Sequence, residues 1–148
     1  MTSQDIGILG VAHAIQLAVA PVFLLTGVGA LLSVLTSRLS RIIDRSRALD
    51  TQLAGRPPDS EAVIGAELRT LARRARLISQ AIAACTLAAL LVCAVIAMLF
   101  VGAFGRFDAS VPVALLFVAT MVALFVGLLA FLREIFIAIR SLHIETSK

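Results

Sequence analysis

The sequence predicts an all-α membrane protein with three transmembrane helices and a cytoplasmic antiparallel helical hairpin between the first and the second. Three observations predict it. Uncharged runs, counting histidine as neutral, cover Ile6 to Ser37, Leu77 to Gly105 and Ala109 to Leu132, and each exceeds the roughly 20 residues that carry a helix across a hydrocarbon core. Hydrophobic residues make up 60% of the 148 positions and charged ones 15%, a balance far from that of a soluble domain. Nine of the 13 basic residues lie between Arg38 and Arg76, three lie from Arg133 onward, and Arg106 alone lies between the second and third runs. The positive-inside bias then puts the N-terminus outside and the C-terminus in the cytoplasm.

The expected organisation is one membrane domain over residues 1–148: helix one at about 8–37, the hairpin at about 38–78, helix two at about 79–104 and helix three at about 111–140. No Lys or Arg precedes the first apolar run, so the charged start of a secretory signal peptide is missing and the segment is expected to stay. Within it, Pro21 removes an N–H and frees a carbonyl about one turn earlier, near Leu17. Thr26, Ala30, Ser33 and Ser37 form a stripe of small residues suited to close helix packing. His13 is expected to be a polar residue of the outer interface rather than a metal or proton site, since no second ligand lies near it in sequence.

The apolar pattern Leu32, Leu35, Leu39, Ile42, Ser46, Leu49, Leu53 recurs in alternating steps of three and four, which predicts one helix running from the membrane into the cytoplasm. Gly55-Arg56-Pro57-Pro58-Asp59 should end it, and Asp59 or Ser60 should cap the next helix. The second leg repeats the spacing at Ile64, Leu68, Leu71, Ala75 and Ile78, so the legs can close a coiled-coil-like seam projecting about 20 to 25 Å beyond the bilayer. Near its tip, Ile43, Leu53, Val63 or Ile64 are expected to face outward.

The base of the hairpin is basic. Arg38, Arg41 and Arg45 on the outgoing leg meet Arg73, Arg74 and Arg76 on the returning one, with Arg133 and Glu134 of helix three at the same boundary. Together with Asp44 they are expected to form a collar of headgroup contacts and ion pairs, since anionic lipid offers about 1 kcal/mol per basic residue near the surface. Glu134 should pair with an arginine of the collar, Arg41, Arg45 or Arg76, because an unpaired carboxylate in that layer would be costly. No aromatics are interleaved with the arginines, which argues against nucleic acid as a partner.

Helix two carries the small strip Ala81, Ala84 and Ala88. Cys85 and Cys93 lie about 12 Å apart along a helix axis, beyond disulfide reach, and are expected to be packing residues. In helix three, Pro112 suits the first turn, and the apolar pattern resumes beyond Arg133 and Glu134 for a few more turns.

The stretches AIQLAVAPVFLLTGVGALLSVLTSRLSRIIDRSRAL, LRTLARRARLISQAI and LFVATMVALFVGLLAFLREI resemble the bacterial membrane-protein family called domain of unknown function twenty-seven twenty-one. The resemblance runs over about residues 8 to 143 and rests on Pro21, on Arg41, Asp44 and Arg45, on Arg73-Arg74-Ala75-Arg76, and on Phe131-Leu132-Arg133-Glu134. It implies a location in the bacterial inner membrane and carries no catalytic residue over.

The sequence holds no arrangement of nucleophile and base, phosphate loop or metal-ligand spacing, so no catalytic, cofactor or metal residues are expected. The expected function is that of a non-enzymatic structural or accessory membrane protein, either a homo-oligomer or a subunit of a larger membrane complex. The packing face would include Thr26, Ala30, Ser33, Ala81, Ala84 and Ala88. The alternative is a homo-oligomeric pore or transport component, with Gln16, Thr26, Ser33 or the arginine collar facing water.

Overall fold

The computed structural model describes residues 3–53, 58–104 and 110–145, and the side chains of 10, 12–51, 64–103 and 110–139. All three segments are α-helical: α1 is Ser3–Leu53, α2 is Pro58–Phe104 and α3 is Ser110–Glu145. Each is long and apolar enough to cross a membrane, over Ala12–Thr51, Ile64–Ala103 and Ser110–Ile139. This is the architecture of a multi-pass membrane protein.

α1 runs without interruption through Pro21 and past the end of its apolar stretch. Its buried positions recur every seven residues, at Ala14, Pro21, Val28, Leu35, Ile42 and Leu49, which keeps one stripe of the helix against its neighbours. α2 does the same with Ile64, Leu71, Ile78, Cys85 and Val92. The helix starts at Pro58, so Asp59 and Ser60 fall inside its first turn instead of capping it. Proline is well suited to that first position because its missing N–H would have no partner inside the helix. Of the expected turn Gly55-Arg56-Pro57-Pro58-Asp59, Pro58 and Asp59 already belong to α2, while 55–57, like the connection at 105–109, lie outside the described residues.

The chain packs as two compact units, both built from pieces of all three helices. In the first, residues 1–31 and 84–125, the core combines Val28, Val92 and Val95 with small side chains: Ala14, Ala18 and Pro21 of α1, Cys85 and Ala88 of α2, and Ala123 of α3. Small residues let helix axes approach, and in lipid that contact replaces water exclusion as the cause of association. At one end of this unit a Cβ on Gly10 would lie 3.7 Å from the Ala103 carbonyl oxygen, so the start of α1 meets the end of α2. Thr120, fully buried on α3, donates its hydroxyl to the Leu116 carbonyl one turn back at 2.8 Å. The outward side is apolar, with Phe23 73%, Leu115 66% and Phe125 63% exposed, a surface that suits hydrocarbon.

The second unit, residues 32–83 and 126–148, has a core of larger aliphatic side chains. Leu35, Ile42 and Leu49 of α1 and Ile64, Leu71 and Ile78 of α2 are buried, and Leu39, Ser46, Leu68 and Ala75 flank them half-buried. The two helices are antiparallel here: seven residues forward on α1, from Arg38 to Arg45, correspond to seven back on α2, from Arg74 to Glu67. Ile64, expected to face outward near the tip, is 6% exposed and belongs to this seam, because it continues the seven-residue stripe of Leu71 and Ile78. Ile43 is exposed as expected; the side chains of Leu53 and Val63 lie outside the described residues.

Candidate functional site

Among the described residues the second unit holds the one charged side chain that is fully buried, Glu134, at 0% exposure. It sits seven residues after buried Gly127, on the inward stripe of α3, so the helix that carries it must aim a carboxylate at α1 and α2. An unpaired carboxylate there would cost several kcal/mol. Arg74 answers from α2, donating Nε and Nη2 to Oε1 at 3.1 and 2.9 Å. Arg38 answers from α1, donating Nη1 to Oε2 at 3.2 Å. One carboxylate thus ties three helices together.

From the sequence, Arg41, Arg45 or Arg76 was expected in that role, and helix geometry explains the difference. At 3.6 residues per turn Arg76 points about 200° away from Arg74, Arg41 points about 60° away from Arg38, and Arg45 shares the direction of Arg38 but lies about 10 Å further along the axis. Arg45 bonds instead to Glu67, donating Nε and Nη2 to Oε1 at 3.1 and 2.8 Å. The two layers are therefore one heptad apart on the same flank of the seam. In one, an arginine faces a glutamate; in the other, two arginines face each other, and Glu134 supplies the missing anion. Phe131, one turn before Glu134, adds a ring 5.2 Å from the Arg38 guanidinium carbon. That contact is worth about 0.5 to 1 kcal/mol at a partly exposed site. Its signal in the sequence was the three-residue spacing of Phe131 and Glu134.

A cavity of about 360 Å³ opens beside the clamp, lined by Arg38, Arg41, Arg45, Arg74 and Glu134 and by the apolar Ile42 and Leu71. Of the groups that line it, Glu134 is fully buried and the Arg74 side chain is 22% exposed, whereas that of Arg45 is 57% exposed. The other expected collar members, Asp44, Arg73, Arg76 and Arg133, do not line it.

Of the expected packing residues, Ala81 and Ala88 are fully buried and Ala84 is half-buried, whereas Thr26, Ala30 and Ser33 are exposed. Cys85 is buried on the inward stripe of α2; Cys93, expected to pack, is exposed because it follows Val92 onto the outer side of that helix. His13 and Gln16 are exposed, and His143 lies outside the described side chains. Among the described residues no group of three or more His, Cys, Asp or Glu is placed to hold a metal ion.

Three apolar spans closed by a buried ionic clamp define an all-α protein of the multi-pass membrane class. Over residues 18–144 the chain matches the model of the family described as "Protein of unknown function (DUF2721)", and it belongs to that family. No curated protein and no solved structure matches it.

Proposed function

We propose that this protein is a non-enzymatic, structural or accessory component of the bacterial inner membrane, acting as a homo-oligomer or as a subunit of a larger membrane complex. In this reading the N-terminus is outside, while the paired ends of α1 and α2, the arginine collar and the C-terminus are cytoplasmic and touch anionic headgroups. The observation that carries it is the difference between the two small-residue strips. Ala81 and Ala88 are fully buried within the chain, while Thr26, Ala30 and Ser33 stay exposed on α1. A stripe that lets backbones approach, left uncovered by the chain's own helices, suits another transmembrane helix. The Thr26 hydroxyl already bonds to the Val22 carbonyl at 3.2 Å, so the stripe can be covered without stranding that donor.

The test is the mass of the full-length protein in gentle detergent or nanodiscs. An assembly or a co-purifying partner is expected, and Ala30→Leu with Ser33→Leu should break it by wedging the helices apart. A monodisperse monomer without a partner, unchanged by those substitutions, would refute the proposal.

A further inference from the structure

We infer that the arginine-lined cavity of the second unit is a binding site for a phosphate-bearing ligand, contacted by Arg41 and Arg45 and by the two arginines bonded to Glu134, Arg38 and Arg74. The first ground is charge. Four guanidinium groups and one carboxylate line the space, and Glu67, outside it, offsets Arg45; a net excess of two positive charges remains. Arg38 and Arg74 already share a single carboxylate. Arg41 has no hydrogen-bonded or ionic partner among the described residues, and Asp44, one turn along the same helix, makes no ion pair with it.

The second ground is shape and chemistry. About 360 Å³ falls at the lower end of ligand-sized pockets, enough for a phosphate and the glycerol or sugar attached to it. Guanidinium groups bind phosphate oxygens through paired N–H donors, and several arginines around one space favour phosphate over a halide or a single carboxylate. Ile42 and Leu71 add an apolar wall that can meet the carbon skeleton of an ester. A ligand carrying two negative charges, such as a lipid with two phosphodiesters or a phosphate monoester, matches the excess better than one carrying a single charge.

The third ground is position. Arg38 follows directly on the uncharged run of α1, Arg76 precedes that of α2, and Glu134 lies just beyond that of α3. Arg38, Arg74 and Glu134 therefore lie within three residues of an uncharged run, the level at which lipid phosphates would lie, and Arg45 lies about 10 Å further along α1. A lipid headgroup and a free phosphate compound share the recognising chemistry, and the experiment separates them. The inference does not depend on self-assembly, so a monomer can still bear it out.

Full-length protein would be placed in nanodiscs of phosphatidylcholine alone, or with a minority of cardiolipin or of phosphatidylglycerol, and retained lipid read by native mass spectrometry. Inorganic phosphate would be titrated in parallel. Arg41→Gln removes a cavity contact without breaking any ion pair among the described residues; Arg73→Gln makes the same charge change outside the cavity. Arg41→Gln should weaken binding about tenfold, the worth of one charge-assisted contact, and Arg73→Gln less than twofold. Retention of cardiolipin over phosphatidylglycerol, unaffected by phosphate, would identify a lipid as the source. Displacement of lipid by phosphate, or phosphate binding in phosphatidylcholine alone, would identify a soluble compound. Equal losses in the two variants, or no binding of either probe, would overturn the inference.

Discussion

The Glu134→Gln substitution tests the clamp directly. It preserves side-chain volume but removes the charge, and it turns one of two acceptor oxygens into a donor that must face a guanidinium. Breaking a buried ion pair from one side costs about 3 to 5 kcal/mol. Two features of this site lower the figure: the Arg38 side chain is 42% exposed and can turn back to water or headgroups, and the substituted amide would still accept one bond from Arg74. The expected loss is thus about 2 to 4 kcal/mol. The control is Glu67→Gln, which removes a pair of the same type whose side chains are 57% and 40% exposed and which should cost less than about 1 kcal/mol. Glu145→Gln, at the end of α3, should cost less still. Thermal or SDS unfolding in detergent, followed by circular dichroism, ranks the variants. Arg74→Gln should then cost at least about 1 kcal/mol less in the Glu134→Gln background than in the parent, because the two groups act as a unit. Equal melting of the Glu134 and Glu67 variants, or additive losses in that cycle, would refute the clamp.

The seam makes a second prediction from adjacent residues of one type. Ile42→Ala, at a position 6% exposed, should cost about 2 to 5 kcal/mol, whereas Ile43→Ala, at a position 38% exposed, should cost less than about 1; equal losses in denaturant unfolding would contradict the register of α1. Topology is tested in a variant free of Cys85 and Cys93. Ser3→Cys should react with an impermeant thiol reagent in intact cells and Ser60→Cys only after lysis, and labelling of Ser60→Cys in intact cells would reverse the proposed orientation.

The number and helical nature of the apolar segments were legible in the sequence, because both depend on local chemistry. A run of uncharged residues satisfies its own backbone hydrogen bonds only as a helix, and no distant residue is needed to make it so. The seam was legible for the same reason: Leu35, Ile42 and Leu49 and their counterparts Ile64, Leu71 and Ile78 declare a shared face by spacing alone. That Glu134 needs an arginine also followed from the sequence, since a carboxylate among apolar residues is costly whichever cation answers it.

Which arginine answers was decided by tertiary structure. It depends on how far α3 is rotated about its axis and on the register of α1 against α2, and a shift of two residues on α2 would replace Arg74 by Arg76, pointing the opposite way. The same holds for the small residues. Ala81 and Ala30 look alike in sequence, yet one is fully buried and the other exposed, because alanine is compatible with either surface and only the packing of whole helices selects which stripe is used at home. The cavity is the extreme case: its four arginines come from two helices and share a space only after α1 and α2 have paired, and Glu134 joins its lining only once α3 has packed against them.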